Sequence, residues 1–94
     1  MEVGSWYALL EESTGSGQYA TWKLTTYFEL GDDRETAVTR IQYLAATYRP
    51  QHPWTDRGRR IFEHGADSWV VVVEGSTSRH HFRLSLTRLL AEHT

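Results

Sequence analysis

Four of the chain's nine arginines fall in one stretch, YRPQHPWTDRGRRIF, residues 48 to 62. Guanidinium groups pair with phosphate oxygens and an indole stacks on a base. Arg57, Arg59, Arg60 and Trp54 therefore form a candidate nucleic-acid or nucleotide-phosphate site, with Arg49 and His52 beside it. The competing reading is structural. Pro50 and Pro53 stiffen a connection from a helix to a sheet, Trp54 closes the end of the core, and the arginines are solvated or pair with Asp56, Glu63 or the acidic first third of the chain. A net charge of −2 favours the structural reading, because non-specific nucleic-acid affinity rests on uncompensated positive charge. The excess of arginine over lysine, nine to one, also lowers the weight of any arginine cluster. Tyr19 and Tyr27, with Tyr7, form a second candidate binding set, since pairing of the first two strands would bring them onto one surface.

The remaining chemistry is sparse. No cysteine is present, which removes thiol nucleophiles, thiolate metal sites and disulfides. Among the five histidines, His80 and His81 are adjacent, so a strand would aim them at opposite faces, and no helix carries histidines at i and i+4. Glu63, His64 and Asp67 gather acid, imidazole and acid around a turn, from which a general acid/base pair could be built, but such proximity at a turn is common. No nucleophile elbow, phosphate-cradling glycine loop or dinucleotide fingerprint occurs. The expectation is a non-catalytic protein without metal or cofactor.

The elements that would position these residues follow from periodicity. The run QYATWKLTTYFEL (18 to 30) alternates with period two. Ala20, Trp22, Leu24, Thr26, Phe28 and Leu30 take the buried side, and Tyr19, Thr21, Lys23, Thr25, Tyr27 and Glu29 the other. With SWYALLEE (5 to 12) before it and STGSG (13 to 17) as the turn, it predicts a hairpin. From 31 to 50 the period changes. Ala37, Val38, Ile41, Leu44, Ala45 and Tyr48 make one helical stripe, opened by Asp32 as N-cap with Glu35 three residues on, and stopped at Arg49 by Pro50. Next come an edge strand at 59 to 64, a tight turn at 65 to 67 and a central strand at 68 to 74, whose valine run suggests burial on both faces. The last segment fits a strand over 79 to 86 followed by a short helix from Thr87, although one continuous helix also matches part of its pattern. Trp6, Trp22, Phe28, Phe62, Trp69 and Phe82 are expected to face the helix as core.

The order ββαβββα implies an α+β fold: a two-layer sandwich of a mostly antiparallel sheet with one main helix on one face, spanning residues 1 to 94 as a single domain. Its longest apolar run, residues 69 to 73, is far too short to cross a bilayer, and the first residues lack the pattern of a secretion signal, so a cytoplasmic protein is expected. Charge is unevenly placed, −5 over residues 1 to 33 and +3 over residues 34 to 94, which can orient a partner or a second copy. A core this small has a thin stability margin, so the sequence reads best as a homodimeric binding or adaptor module using the Tyr/Thr sheet face or an edge strand.

Overall fold

The structure is a computed structural model that describes residues 2–14, 21–50, 56–76 and 78–94. Strand β1 spans Trp6–Thr14, β2 Thr21–Gly31, helix α1 Arg34–Thr47, β3 Gly58–Glu63, β4 Ser68–Glu74 and β5 Arg79–Arg88. All pairings are antiparallel, and the five strands form one sheet in the order β2-β1-β5-β4-β3. The hairpin, the main helix and the three-stranded meander expected from the sequence are all present. Gly65, at φ 80°, supplies the left-handed residue in the β3–β4 turn, closed by the His64 N–H donating to the Ser68 carbonyl.

Helix α1 lies across one face of the sheet. Its apolar stripe is the expected one: Ala37, Ile41 and Ala45 are fully buried, with Val38, Leu44 and Tyr48 packed beside them. The small alanines let the helix sit close, so that Ile41 reaches into a layer built from Ala8 and Leu10 of β1, Leu30 of β2, Trp69, Val71 and Val73 of β4, and Phe82, Leu84 and Leu86 of β5. Asp33, rather than Asp32, is the N-cap; its carboxylate accepts from both the backbone N–H and the hydroxyl of Thr36, which Asp32 stands one residue too far back to reach. The helix ends at Thr47, two residues before the expected stop at Arg49, with Tyr48 already extended at its C-cap and its N–H donating to the Leu44 carbonyl.

No helix follows Thr87. Leucines 86, 89 and 90 fit a helical spacing, but Thr87 and Arg88 pair with Tyr7 and Trp6, and the Leu89 N–H donates to the Ser5 carbonyl, so the free edge of β1 draws the chain into the sheet. β4 is an interior strand, yet only Trp69, Val71 and Val73 are buried, because no described element covers the face carrying Val70 and Val72.

The core makes a direct prediction. Phe82 has no exposed surface and its ring packs edge-on against Tyr48 at 5.2 Å. Replacing it by alanine is expected to destabilise the fold by about 3–5 kcal/mol, measured by urea denaturation, whereas Phe62→Ala, on an exposed ring of the opposite face, is expected to leave monomer stability nearly unchanged.

Candidate functional site

The sheet has one covered and one uncovered face, and a register irregularity decides what the uncovered face carries. In the β1–β2 ladder Leu10 pairs with Thr26 but Glu11 pairs with Leu24, leaving Thr25 as an extra residue. Such a bulge breaks the strict alternation of the strand. Beyond it, Trp22 and Leu24 lie on the same side as Tyr27 instead of opposite to it. Trp22 consequently stands over Arg83 at 4.5 Å and edge-on to His81 at 5.4 Å, both on the uncovered side of β5. Phe62 also faces this side, because it pairs with Val70 rather than with the buried Val71. Trp22 and Phe62 are thus not core residues; they are exposed by 37% and 51%.

The result is a broad apolar and aromatic surface. Leu24, Tyr27 and Phe62 are each about half exposed, while Leu9, Val70 and Val72 are half-buried between them. Tyr7 and Tyr27 meet edge-on at 6.2 Å, so the expected gathering of tyrosines is present for this pair. Tyr19 lies outside the described residues. Tyr7 itself is nearly buried, and with Leu9, Tyr27, Thr87 and Leu89 it lines an apolar depression of about 250 Å³. Charged groups on this face are internally compensated or peripheral. Arg83 reaches Glu11 at 3.0 Å; Arg60 and Arg79 share Glu74 at 3.4 and 3.1 Å.

Arg57, Arg59 and Arg60 line one open depression of about 220 Å³ together with Gly58 and Glu74, but Arg59 and Arg60 are each engaged by a carboxylate there, and Trp54 lies outside the described residues. Arg59 and Arg60 alternate across β3. Arg60 points to the uncovered face, whereas Arg59 is held on the helix side, donating to the Ala45 carbonyl at 2.9 Å and to Asp56 at 2.7 Å. Ala45 stands in the last turn of α1, where carbonyls lack intrahelical partners and the dipole is negative; the turn itself contains no basic residue. Arg59 supplies that missing charge from the next strand. Arg57 is exposed, with its backbone N–H donating to the Glu74 carbonyl. Hydrogen bonding by Arg59 holds the Asp56 carboxyl below the usual carboxylate range.

A second polar cluster escaped sequence reasoning because its members are distant in the chain. His80 of β5 meets Glu12 of β1 at 2.9 Å on the helix side, both about one fifth exposed. Burial first, and the nearby Glu12 carboxylate second, raise the Tyr48 hydroxyl above its usual value. His80 and His81 do point to opposite faces, as adjacency on a strand requires. Of the turn residues Glu63, His64 and Asp67, the first two are exposed and Asp67 is tied to Arg34 at 2.7 Å, so no acid/base pair is built there. No group of three or more potential metal ligands occurs among the described residues, and no described helix is long and apolar enough to cross a membrane. Compared with protein-family models, curated proteins and solved structures, the chain matches none.

Two predictions separate the roles of these charges. Arg59→Ala is expected to cost about 1–2 kcal/mol in denaturant titrations, whereas Arg57→Ala and Arg60→Ala stay within about 0.5 kcal/mol. Asp56 and Asp33 both carry lowered carboxyl pKa values, so their contribution is complete above the unfolded carboxylate value of 3.8 and is lost as pH falls through the lower folded value. Thermal midpoints should therefore fall as pH drops below about 4, and less steeply in Asp56→Asn.

Proposed function

We propose that this chain is a non-catalytic binding module that acts as a homodimer through its uncovered sheet face. The observation that carries this reading is the placement of Trp22, Leu24, Tyr27 and Phe62 on one side of a single sheet with no described element over them. Contiguous apolar surface of this kind is rare on proteins that remain alone, and burying it would add to the small core. Five strands about 4.8 Å apart, each showing roughly eight residues at about 3.3 Å, project a face of roughly 600 Å². Allowing for side-chain relief, this approaches the roughly 800 Å² per partner of a standard interface. Within the face, Leu9, Val70 and Val72 lie on interior strands and Trp22, Leu24, Tyr27 and Phe62 on the edge strands β2 and β3, while central β5 carries Arg83 paired with Glu11, and Glu29, Arg60 and Arg79 stand at the strand ends.

The alternative, phosphate or nucleic-acid binding through residues 49 to 60, draws less support. Arg59 is engaged with the helix end and Asp56, and Arg60 is aimed away from it. A sheet-borne nucleic-acid platform would use the same exposed aromatics, but Arg83, Arg60 and Arg79 already face carboxylates.

Light scattering should give a mass near twice the 10.9 kDa of one chain. Leu24→Glu, which sets a carboxylate among the exposed apolar side chains of β2, should weaken association by about 100-fold while leaving the circular dichroism spectrum unchanged. A wild-type protein that is monomeric at all accessible concentrations contradicts the proposal. Salt-sensitive binding of labelled single-stranded nucleic acid, lost in the Arg57/Arg59/Arg60→Ala protein, would favour the alternative.

A further inference from the structure

The cross-strand registers locate every side chain on the uncovered face, and this pattern restricts how two copies can meet. Glu29 lies beside Tyr7, which pairs with Thr87, so these three mark one end of the sheet on the β2 side. Arg60 lies beside Val72, which pairs with His81, and these mark the opposite end on the β3 side. β3 and β4 are offset from β1 and β2: Ser68, the first residue of β4, already pairs with Ser85, so no residue of β4 lies beside Thr87. The face is therefore slanted, with Glu29 and Arg60 at opposite corners. At about 4.8 Å per strand and about 3.3 Å per residue, each corner lies roughly 10 Å across and roughly 10 Å along from the middle of β5.

Resting on the reading that the face dimerises, we infer that two copies pack face to face with their strands crossed, Glu29 of each meeting Arg60 of the other and Phe62 of each entering the depression beside Tyr7 and Thr87. Equal displacements across and along the strands mean that a two-fold axis lying in the face, on its other diagonal, exchanges the two corners. The strands of the two copies then cross near a right angle, one of the two recurrent modes of sheet stacking. The same operation sets Tyr27 over Val72 and Leu9 over Val70, and it brings Phe62 to the apolar depression of about 250 Å³ lined by Tyr7 and Thr87.

Charge agrees with this placement. Arg60 and Arg79 share the single carboxylate of Glu74, leaving that corner one positive charge in excess, while Glu29 at the other corner is exposed. The two-fold axis satisfies both corners twice, as an isologous interface requires. An aligned arrangement, with the axis parallel to the strands, does neither. It sets β2 over β3 without a diagonal shift, so Arg60 meets Trp22, and Glu29 and Tyr7 extend past the ends of β3 and β4 with nothing opposite them.

Because the chain has no cysteine, single-cysteine variants report the arrangement without background. Proteins carrying Glu29→Cys and Arg60→Cys, mixed and oxidised, should form a cross-linked heterodimer. The two positions are roughly 28 Å apart within one chain, so the product can arise only between chains. Glu29→Arg and Arg60→Glu should each weaken dimerisation about tenfold, and the protein carrying both should return to within about threefold of wild type. Circular dichroism checks that each variant is folded. A dimer in which Arg60→Cys cross-links instead to Trp22→Cys, and in which the two reversals do not compensate, overturns the crossed geometry while leaving the dimer standing. A folded wild-type monomer overturns both.

Discussion

The one described helix, of fourteen residues, can cover only one face of the five-stranded sheet, and the rest of the described structure is arranged around that imbalance. On the covered side, Ile41 and its flanking alanines meet Leu10, Val71, Phe82 and Leu84, and this layer supplies the hydrophobic stabilisation the fold has. On the other side the same strands present Leu9, Val70, Val72, Leu24 and Phe62 to solvent. A strand alternates its side chains, so a sheet whose two sides are both apolar is committed to two layers. The chain provides one, and the proposed second copy provides the other.

Polar contacts fix the helix onto its face. Arg40 donates to the Leu30 carbonyl at the end of β2, Arg34 reaches Asp67 in the β3–β4 turn, and Arg59 reaches back from β3 to the last turn of α1. Arg34 and Arg88 both lie over the ring of Trp6, at 5.2 and 5.5 Å, which ties the start of the helix to the end of β5. Arginine is therefore mostly a structural tether here. That use accounts for the dense arginine segment around residues 57 to 60 without invoking a ligand for Arg59, whose guanidinium serves the helix end as a basic residue in the last turn would.

The helix stripe, the hairpin, the meander and the outward pairing of Tyr7 with Tyr27 were legible because each rests on local periodicity or turn chemistry. What stayed hidden depends on pairing between distant strands. The orientation of Trp22 and Leu24 turns on one extra residue, Thr25, in the β1–β2 ladder, and period-two counting carried unbroken through Thr25 assigns both to the core. Phe62 was misread for a related reason: its side follows from pairing with Val70, and nothing local distinguishes it from Ile61. The lost C-terminal helix records competition between a leucine spacing and an open strand edge, decided by hydrogen bonds to Ser5 and pairing with Tyr7. The Glu12–His80 contact joins residues 68 positions apart and has no sequence signature. In each case the feature missed belongs to the sheet's assembly, and the uncovered face is made largely of such features.

Methyl NMR spectra recorded across a dilution series from millimolar to micromolar protein test the central claim, that the uncovered face is covered by a second copy. Signals from Leu9, Leu24, Val70 and Val72 should shift or broaden as the protein is diluted, while those of Leu10, Val71, Val73 and Leu84, on the helix side, hold their positions. Constant signals for both groups, together with a rotational correlation time of a 10.9 kDa particle throughout, would contradict the account.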